Sequence, residues 1–242
     1  MEEPGAISRL EGMGSEVRRG SQVRAIEDLR GPEGRLEAVL NTGAADALFA
    51  ALVCHPYPPA GGTMHNKVVY HAMKAFNGFG LPVVRFNFRG VGLSEGSFSE
   101  GYGERDDVRA ALDWMERTLE LPILFAGFSF GSYVGLRACC GDDRVKGCVG
   151  LGLPVRAAGR DYTYRFLQEC GGPRLFVSGD RDQFSPREVL EPVFAGLPEP
   201  KRLVWVAGAD HFFQGVPGSP EPKLEGMQEA IRMWLGDSFG LT

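Results

Sequence analysis

No stretch of this chain is apolar for long enough to cross a bilayer, which removes membrane channels and carriers built on spanning helices from consideration. Basic residues are in deficit, with 26 Lys and Arg against 31 Asp and Glu and a formal charge of -5, which argues against general binding to nucleic acid. Histidine is scarce: only His55, His65, His71 and His211 occur. The first three lack a metal-ligand spacing with acids or cysteines, so no metal and no other cofactor is expected. The five cysteines (Cys54, Cys139, Cys140, Cys148 and Cys170) contain no C-x-x-C pair and are odd in number. They are expected to be buried, reduced thiols in a cytoplasmic protein. The opening Met-Glu-Glu-Pro-Gly carries acid where a secretory signal carries base, and no apolar core of a signal follows. Repeats, linkers and low-complexity tracts are also missing.

What is present is the composition of an ordinary globular protein, 43 % apolar and 24 % charged, over a length sufficient for one large α/β domain. Residues 1–20 show no sustained periodicity and are expected to form a flexible N-terminal segment ahead of a single domain over 21–242. Residues 23–29 and 35–40 alternate and flank the turn signal Gly31-Pro32-Glu33-Gly34, predicting an antiparallel hairpin. The almost wholly apolar run 47–54 fits a strand buried on both faces, as in a parallel sheet. Strands are then predicted over 82–88, 123–128, 145–151, 175–178 and 203–206, and helices over 66–79, 104–119, 130–140, 186–195 and 224–235. An antiparallel start followed by repeated strand–helix units is an α/β pattern: a mixed, mostly parallel eight-stranded sheet with helices on both faces.

Three segments match Gly-x-Ser-x-Gly: Gly92-Leu93-Ser94-Glu95-Gly96, Gly127-Phe128-Ser129-Phe130-Gly131 and Gly236-Asp237-Ser238-Phe239-Gly240. A serine nucleophile on a sharp elbow needs a strand before it and a helix behind it. Ser94 lies in a Gly-rich loop with no helix directly behind it, and Ser238 is read as following the last helix. Ser129 alone has both, so it is the expected nucleophile; the competing reading is a serine that merely caps a helix.

A serine hydroxyl needs a base, and histidine is the usual one because its ordinary pKa is about 6.5. On such an elbow the partners follow in the order serine, acid, histidine. His55, His65 and His71 all precede Ser129, which leaves His211, in the loop after the last strand. His55 is read as a strand-end residue that orients its neighbours. The acid is sought in Val177-Ser178-Gly179-Asp180-Arg181-Asp182. Asp182 is expected, since a carboxylate reaching His211 should leave the turn rather than the strand end; Asp180 is the alternative. An oxyanion hole needs two backbone N–H groups. Phe130 follows the nucleophile and supplies one. The other comes from His55-Pro56-Tyr57-Pro58-Pro59-Ala60-Gly61-Gly62, where among positions 56 to 59 only Tyr57 has an N–H to give.

With these residues placed, the chain resembles the α/β-hydrolase superfamily over about residues 22–236. Arg85-Phe86-Asn87-Phe88-Arg89-Gly90-Val91-Gly92-Leu93-Ser94 is similar to the superfamily's Asp-x-Arg-Gly-x-Gly-x-Ser segment, which makes Ser94 a structural residue. Asn87 stands where many members have Asp, and His55-Pro56 replaces the common His-Gly. These departures, with Gly61-Gly62-Thr63-Met64-His65-Asn66-Lys67 and Gly103-Glu104-Arg105-Asp106-Asp107, resemble a group of small bacterial α/β hydrolases described as predicted or esterase-like. The resemblance implies the α/β-hydrolase fold. Members often insert a helical cap where this chain has only residues 152–172, so a minimal cap and a shallow site are expected. Phe128, Phe184 and Phe212 are expected to line that site, although Phe184 and Phe212 fit core packing equally well.

The expected activity is that of a serine hydrolase cleaving esters or thioesters of a small-molecule acyl substrate, as a monomer or homodimer without membrane or nucleic-acid partners. The same triad also serves amidases, peptidases and acyltransferases, and a non-catalytic binding protein on this fold is the rival from another class.

Overall fold

A five-residue strand with every side chain fully buried, Ala50–Cys54, sets the centre of the molecule. The computed structural model describes residues 22–215 and 223–242, so the expectation for residues 1–20 lies outside the described residues. Eight strands form one sheet: β1 (Val23–Ile26), β2 (Ala38–Asn41), β3 (Ala50–Cys54), β4 (Val83–Phe86), β5 (Ile123–Phe128), β6 (Val145–Leu151), β7 (Arg174–Gly179) and β8 (Lys201–Val206). Their spatial order is β1-β2-β4-β3-β5-β6-β7-β8. β1 pairs antiparallel with β2, and β2 with β4, and all other neighbours are parallel. The predicted hairpin is therefore present. Its connection carries a small ribbon of its own, Arg30–Gly31 against Gly34–Arg35.

Alternation along the central strands divides the core in two. Ala50, Leu52 and Cys54 of β3 join Ile123 and Phe125 of β5 on one face. Ala51 and Val53 join Leu124, Ala126 and Phe128 on the other. Helices α1 (Lys67–Asn77) and α5 (Leu224–Phe239) cover the second face. Helices α2 (Gly103–Leu119), α3 (Phe130–Cys139) and α4 (Arg187–Ala195) cover the first. Helix α1 starts where the Asn66 side chain accepts the Val68 N–H at 2.9 Å, and it buries the Val68, Val69, Ala72, Met73 and Phe76 stripe that its spacing predicts.

The register aligns the chemistry-bearing ends. Cys54 of β3 lies opposite Gly127 of β5, and Gly179 of β7 opposite Val206 of β8. The loops after β3, β5, β7 and β8 therefore open at one edge, the carboxyl ends of the parallel strands. Because β4 lies on one side of β3 and β5 on the other, this is also where the strand order reverses.

Two expectations are corrected. Ser238 does not follow the last helix; it lies in the final turn of α5, which runs to Phe239 and ends at Gly240. A glycine at position 236 weakens a helix without ending it, and tertiary packing of Trp234 and Leu235 holds the segment in place. Nor are all five cysteines reduced. Cys140, just past α3, is bonded to Cys170, with the Cα atoms 4.7 Å apart. Thirty residues separate the pair in sequence, and only the return of the chain along β6 and through 152–172 brings them together. Cys54, Cys139 and Cys148 are free and buried, and burial pushes the Cys148 thiol up to about 12.

Candidate active site

The elbow is built by close approach of backbones. Ser129 sits at φ 53° and ψ -119° between β5 and α3. Its N–H donates to the Leu151 carbonyl at 2.8 Å, which ties the turn to the end of β6. A Cβ on Gly127 would lie 2.5 Å from the Gly131 carbonyl oxygen, and one on Gly131 would collide with the His55 carbonyl oxygen. Both glycines of the motif are thus required by packing alone. The left-handed φ of Ser129 is strained for a residue with a side chain, and such strain clusters at functional sites.

Three predicted side chains meet here. Ser129 Oγ is 2.9 Å from His211 Nε2, and His211 Nδ1 is 2.8 Å from Asp182 Oδ2. All three residues are buried, with relative exposures of 8 %, 3 % and 4 % for Ser129, His211 and Asp182. The second Asp182 oxygen accepts the Phe184 N–H at 2.8 Å, which fixes the carboxylate plane. Asp180 is engaged elsewhere: its carboxylate accepts the Gly208 N–H at 2.8 Å and lies 3.8 Å from Arg181. The arrangement suits a serine whose proton leaves through a correctly oriented neutral imidazole.

The loop after β3 brings Tyr57 beside the elbow, with its ring 5.6 Å from that of Phe130. A 3-10 turn over Pro58–Ala60 follows, closed by Gly61 and Gly62 N–H groups donating to Pro58 and Tyr57 carbonyls. Neither the Tyr57 nor the Phe130 N–H donates to an acceptor among the described residues. The Phe130 amide also opens α3, where unpaired N–H groups and the helix dipole favour negative charge.

Aromatic rings surround the imidazole. Phe128, Phe184 and Phe212 lie 5.0, 4.8 and 5.3 Å from the His211 ring, centroid to centroid. Phe128 is fully buried, Phe184 half-buried and Phe212 41 % exposed, so Phe212 is a surface of the site rather than core. Ser94 is structural: it donates to the Asn87 carbonyl at 2.7 Å and accepts the Glu37 N–H at 2.9 Å. Arg89 anchors the same Gly-rich loop through two-pronged bonds to Asp107 and a contact to Glu33. His65 is an exposed loop residue, and His71 on α1 faces Gln228 of α5 at 3.3 Å.

Sequence reasoning missed Asp210. Its carboxylate accepts the N–H groups of Phe212 at 2.9 Å and Gln214 at 2.8 Å, shaping the turn that presents His211. The signal was the aspartate's place two residues before an acceptor-seeking amide, an Asx-turn pattern. Phe98 was also missed; it packs 5.4 Å from Tyr57 and 5.8 Å from Phe130. Residues 152–172 contain only a small hairpin, Arg156–Ala157 against Arg160–Asp161, and a 3-10 turn over Arg165–Gln168, so no helical cap stands there. No helix among the described residues is long and apolar enough to cross a membrane.

A family model described as an alpha/beta hydrolase domain matches residues 51–235. An uncharacterized protein of Rickettsia prowazekii is 34 % identical over 191 residues, covering 76 % of this chain and 80 % of the relative. Among solved structures, an alpha-beta serine hydrolase homologue from Coxiella burnetii is 34 % identical with a TM-score of 0.75, covering 88 % of this chain and 96 % of that one. A serine hydrolase without lid from Xanthomonas campestris is 32 % identical with a TM-score of 0.72, covering 90 % and 94 %.

Proposed function

The chain belongs to the α/β-hydrolase family, and from that premise we propose that it is a serine hydrolase cleaving carboxylic esters or thioesters through an acyl-enzyme on Ser129. The observation that carries this reading is the continuous line from Ser129 Oγ to His211 Nε2, 2.9 Å, and from His211 Nδ1 to Asp182, 2.8 Å, at a strained strand-to-helix turn. Ser129 Oγ attacks the acyl carbonyl while its proton passes to His211 Nε2. Asp182 keeps the imidazole tautomer and stabilises the imidazolium without taking its proton. The carbonyl oxygen, now negative, receives the amides of Tyr57 and Phe130. His211 then protonates the departing alkoxide or thiolate. It next takes a proton from water, whose oxygen attacks the acyl-enzyme, and it passes that proton to Ser129 Oγ as the carboxylic acid leaves. Phe128, Phe184 and Phe212 supply the apolar wall for the acyl portion. The 152–172 interval carries no helical cap and Phe212 is exposed, which leaves a way in for water and favours hydrolysis over transfer to a second acceptor. No cofactor takes part, and the protein acts on a small soluble substrate in the cytoplasm, as a monomer or homodimer.

Incubation with a fluorophosphonate followed by peptide mass analysis tests the reading. One adduct is expected, on Ser129, and it should form in Tyr57→Phe as readily as in the wild type, because the Tyr57 amide and not its hydroxyl serves the reaction. No adduct on Ser129 would favour a binding protein on the same fold.

A further inference from the structure

The small hairpin within residues 152–164 skirts the site without capping it. Its approach lies against the triad: a Cβ on Gly152 would come 3.2 Å from the His211 ring. The Val155 N–H donates to the Phe184 carbonyl at 2.7 Å, which ties the segment to the turn that carries Asp182. Arg156–Ala157 then pairs with Arg160–Asp161, and Ala158 and Gly159 between them have φ of 53° and 73°. Two left-handed residues in a row belong to the tight turn whose twist suits a hairpin. The returning strand leads to Tyr162, whose ring is 4.9 Å from that of Tyr133, one turn along α3 from Phe130.

From this hairpin Arg160 reaches the loop ahead of α2. Its Nη1 donates to the Glu100 carbonyl at 2.8 Å and its Nη2 to Glu100 Oε2 at 2.6 Å. That loop rests on the nucleophile's helix, since a Cβ on Gly101 would lie 3.3 Å from Val134 and 3.5 Å from Phe130. His211, Gly152, Arg160, Glu100, Gly101 and Phe130 thus form a closed circuit that begins and ends at Ser129, and Arg160 is its one fixed positive charge.

The two groups that hold Arg160 differ in permanence. Glu104, fully buried, accepts the Ser99 N–H at 2.7 Å and the Gly101 N–H at 2.6 Å, so the Glu100 backbone is fixed from both sides at a left-handed φ of 57°. The Glu100 carbonyl is therefore a standing partner. The Glu100 side chain, in contrast, is 67 % exposed against 30 % for Arg160, and so exposed an acid makes a weak, exchangeable ion pair. The guanidinium itself is sunk beside Tyr162, which is buried. Burial pushes the Tyr162 hydroxyl up, the Arg160 charge pulls it back, and Tyr57 and Tyr133 reinforce the rise, so Arg160 and Tyr57 of the oxyanion loop act on one hydroxyl. Among the described residues Glu100 is the only acid that pairs with Arg160.

We propose that Arg160 is a substrate-binding residue, which exchanges the Glu100 carboxylate for a carboxylate that the substrate carries away from the bond to be cut. This rests on the hydrolase reading above. The preferred substrate is then an acidic one: a half-ester of a dicarboxylic acid, or an ester whose alcohol bears a carboxylate. Glu100 keeps the guanidinium in place until that group arrives, so little ordering is left for the binding step.

Two matched pairs of esters test this, one for each position of the carboxylate. Mono-nitrophenyl adipate against nitrophenyl hexanoate places it on the acyl chain, and meta-carboxyphenyl hexanoate against phenyl hexanoate places it on the leaving group. The quantity read is the ratio of kcat/KM, charged over uncharged, in which a general loss of active protein cancels. In Arg160→Gln the ratio should fall about tenfold or more in one of the pairs, the loss expected for a hydrogen bond to a charged group. In Glu100→Gln the same ratio should rise about two- to fivefold, because the competing charge is gone while the length of the side chain is kept. Ratios within about twofold of the wild type in both pairs for Arg160→Gln overturn the proposal and leave Arg160 a latch for the hairpin. Should Arg160→Gln fail to fold, Glu100→Gln decides alone, and a ratio that does not rise overturns the proposal. Ser129→Ala is run alongside: turnover that survives it, or no turnover of any ester by the wild type, sinks the reading of the site. Ser129-dependent turnover with unmoved ratios sinks only the role of Arg160.

Discussion

Replacing Ser129 with alanine is expected to lower kcat for a short-chain nitrophenyl ester by about 10⁴-fold or more, the range seen when a triad nucleophile is removed. Folding should survive the change. The side-chain contact at risk is the one to His211, while the local backbone is held by the Ser129 N–H on Leu151 and by Ser132 Oγ donating to the Ser129 carbonyl at 2.6 Å. None of these backbone ties needs the hydroxyl. A thermal transition close to that of the wild type should therefore accompany the loss of turnover. Residual catalysis above that of water would come from the two amides, which the substitution leaves in place. Turnover within about tenfold of the wild type would mean that another group attacks the substrate, since loss of the nucleophile costs far more.

The second large effect is expected from Asp182→Asn, about 10⁴-fold in kcat, because the substitution selects the wrong imidazole tautomer. The geometry explains why the asparagine cannot simply turn its oxygen toward His211. The other position of the group faces the Phe184 N–H, which requires an acceptor, so the amide nitrogen is driven to the His211 side. Two donors would then meet at Nδ1 unless its proton moves to Nε2, and Nε2 would no longer accept from Ser129. Asp180→Asn retains an oxygen for the Gly208 N–H and should leave kcat near that of the wild type. Measuring both variants against one ester decides the acid. Loss in Asp180→Asn with activity kept in Asp182→Asn would reverse the assignment.

The elements that decide the architecture were legible where one physical requirement dominated. Of the apolar run 47–54, residues 50–54 are buried on both faces because they offer no polar side, and as β3 they are the centre of the sheet, whereas Leu48 ahead of the strand is 63 % exposed. The meeting of Ser129, Asp182 and His211 followed from three local arguments: a strand-to-helix elbow, chain order, and the direction in which a carboxylate leaves a turn. Features that depend on distant partners were not legible. The Cys140–Cys170 bond depends on how far 152–172 folds back over α3. Arg89, Asp107 and Glu33 come from three separate elements, and no spacing in sequence announces their contact. The last turns of α5 were hidden because Gly236 reads as a stop, whereas the buried Trp234 and Leu235 hold the helix through it.

The conformation of Ser129 has an implication for the history of any such chain. Its φ of 53° is one that glycine adopts freely, so Ser129→Gly should gain about 1 kcal/mol of stability, read as a higher unfolding temperature, while removing the hydroxyl. The most heat-tolerant residue at this position is therefore an inert one. Selection or directed evolution scored only on melting temperature would drift toward inactive protein here.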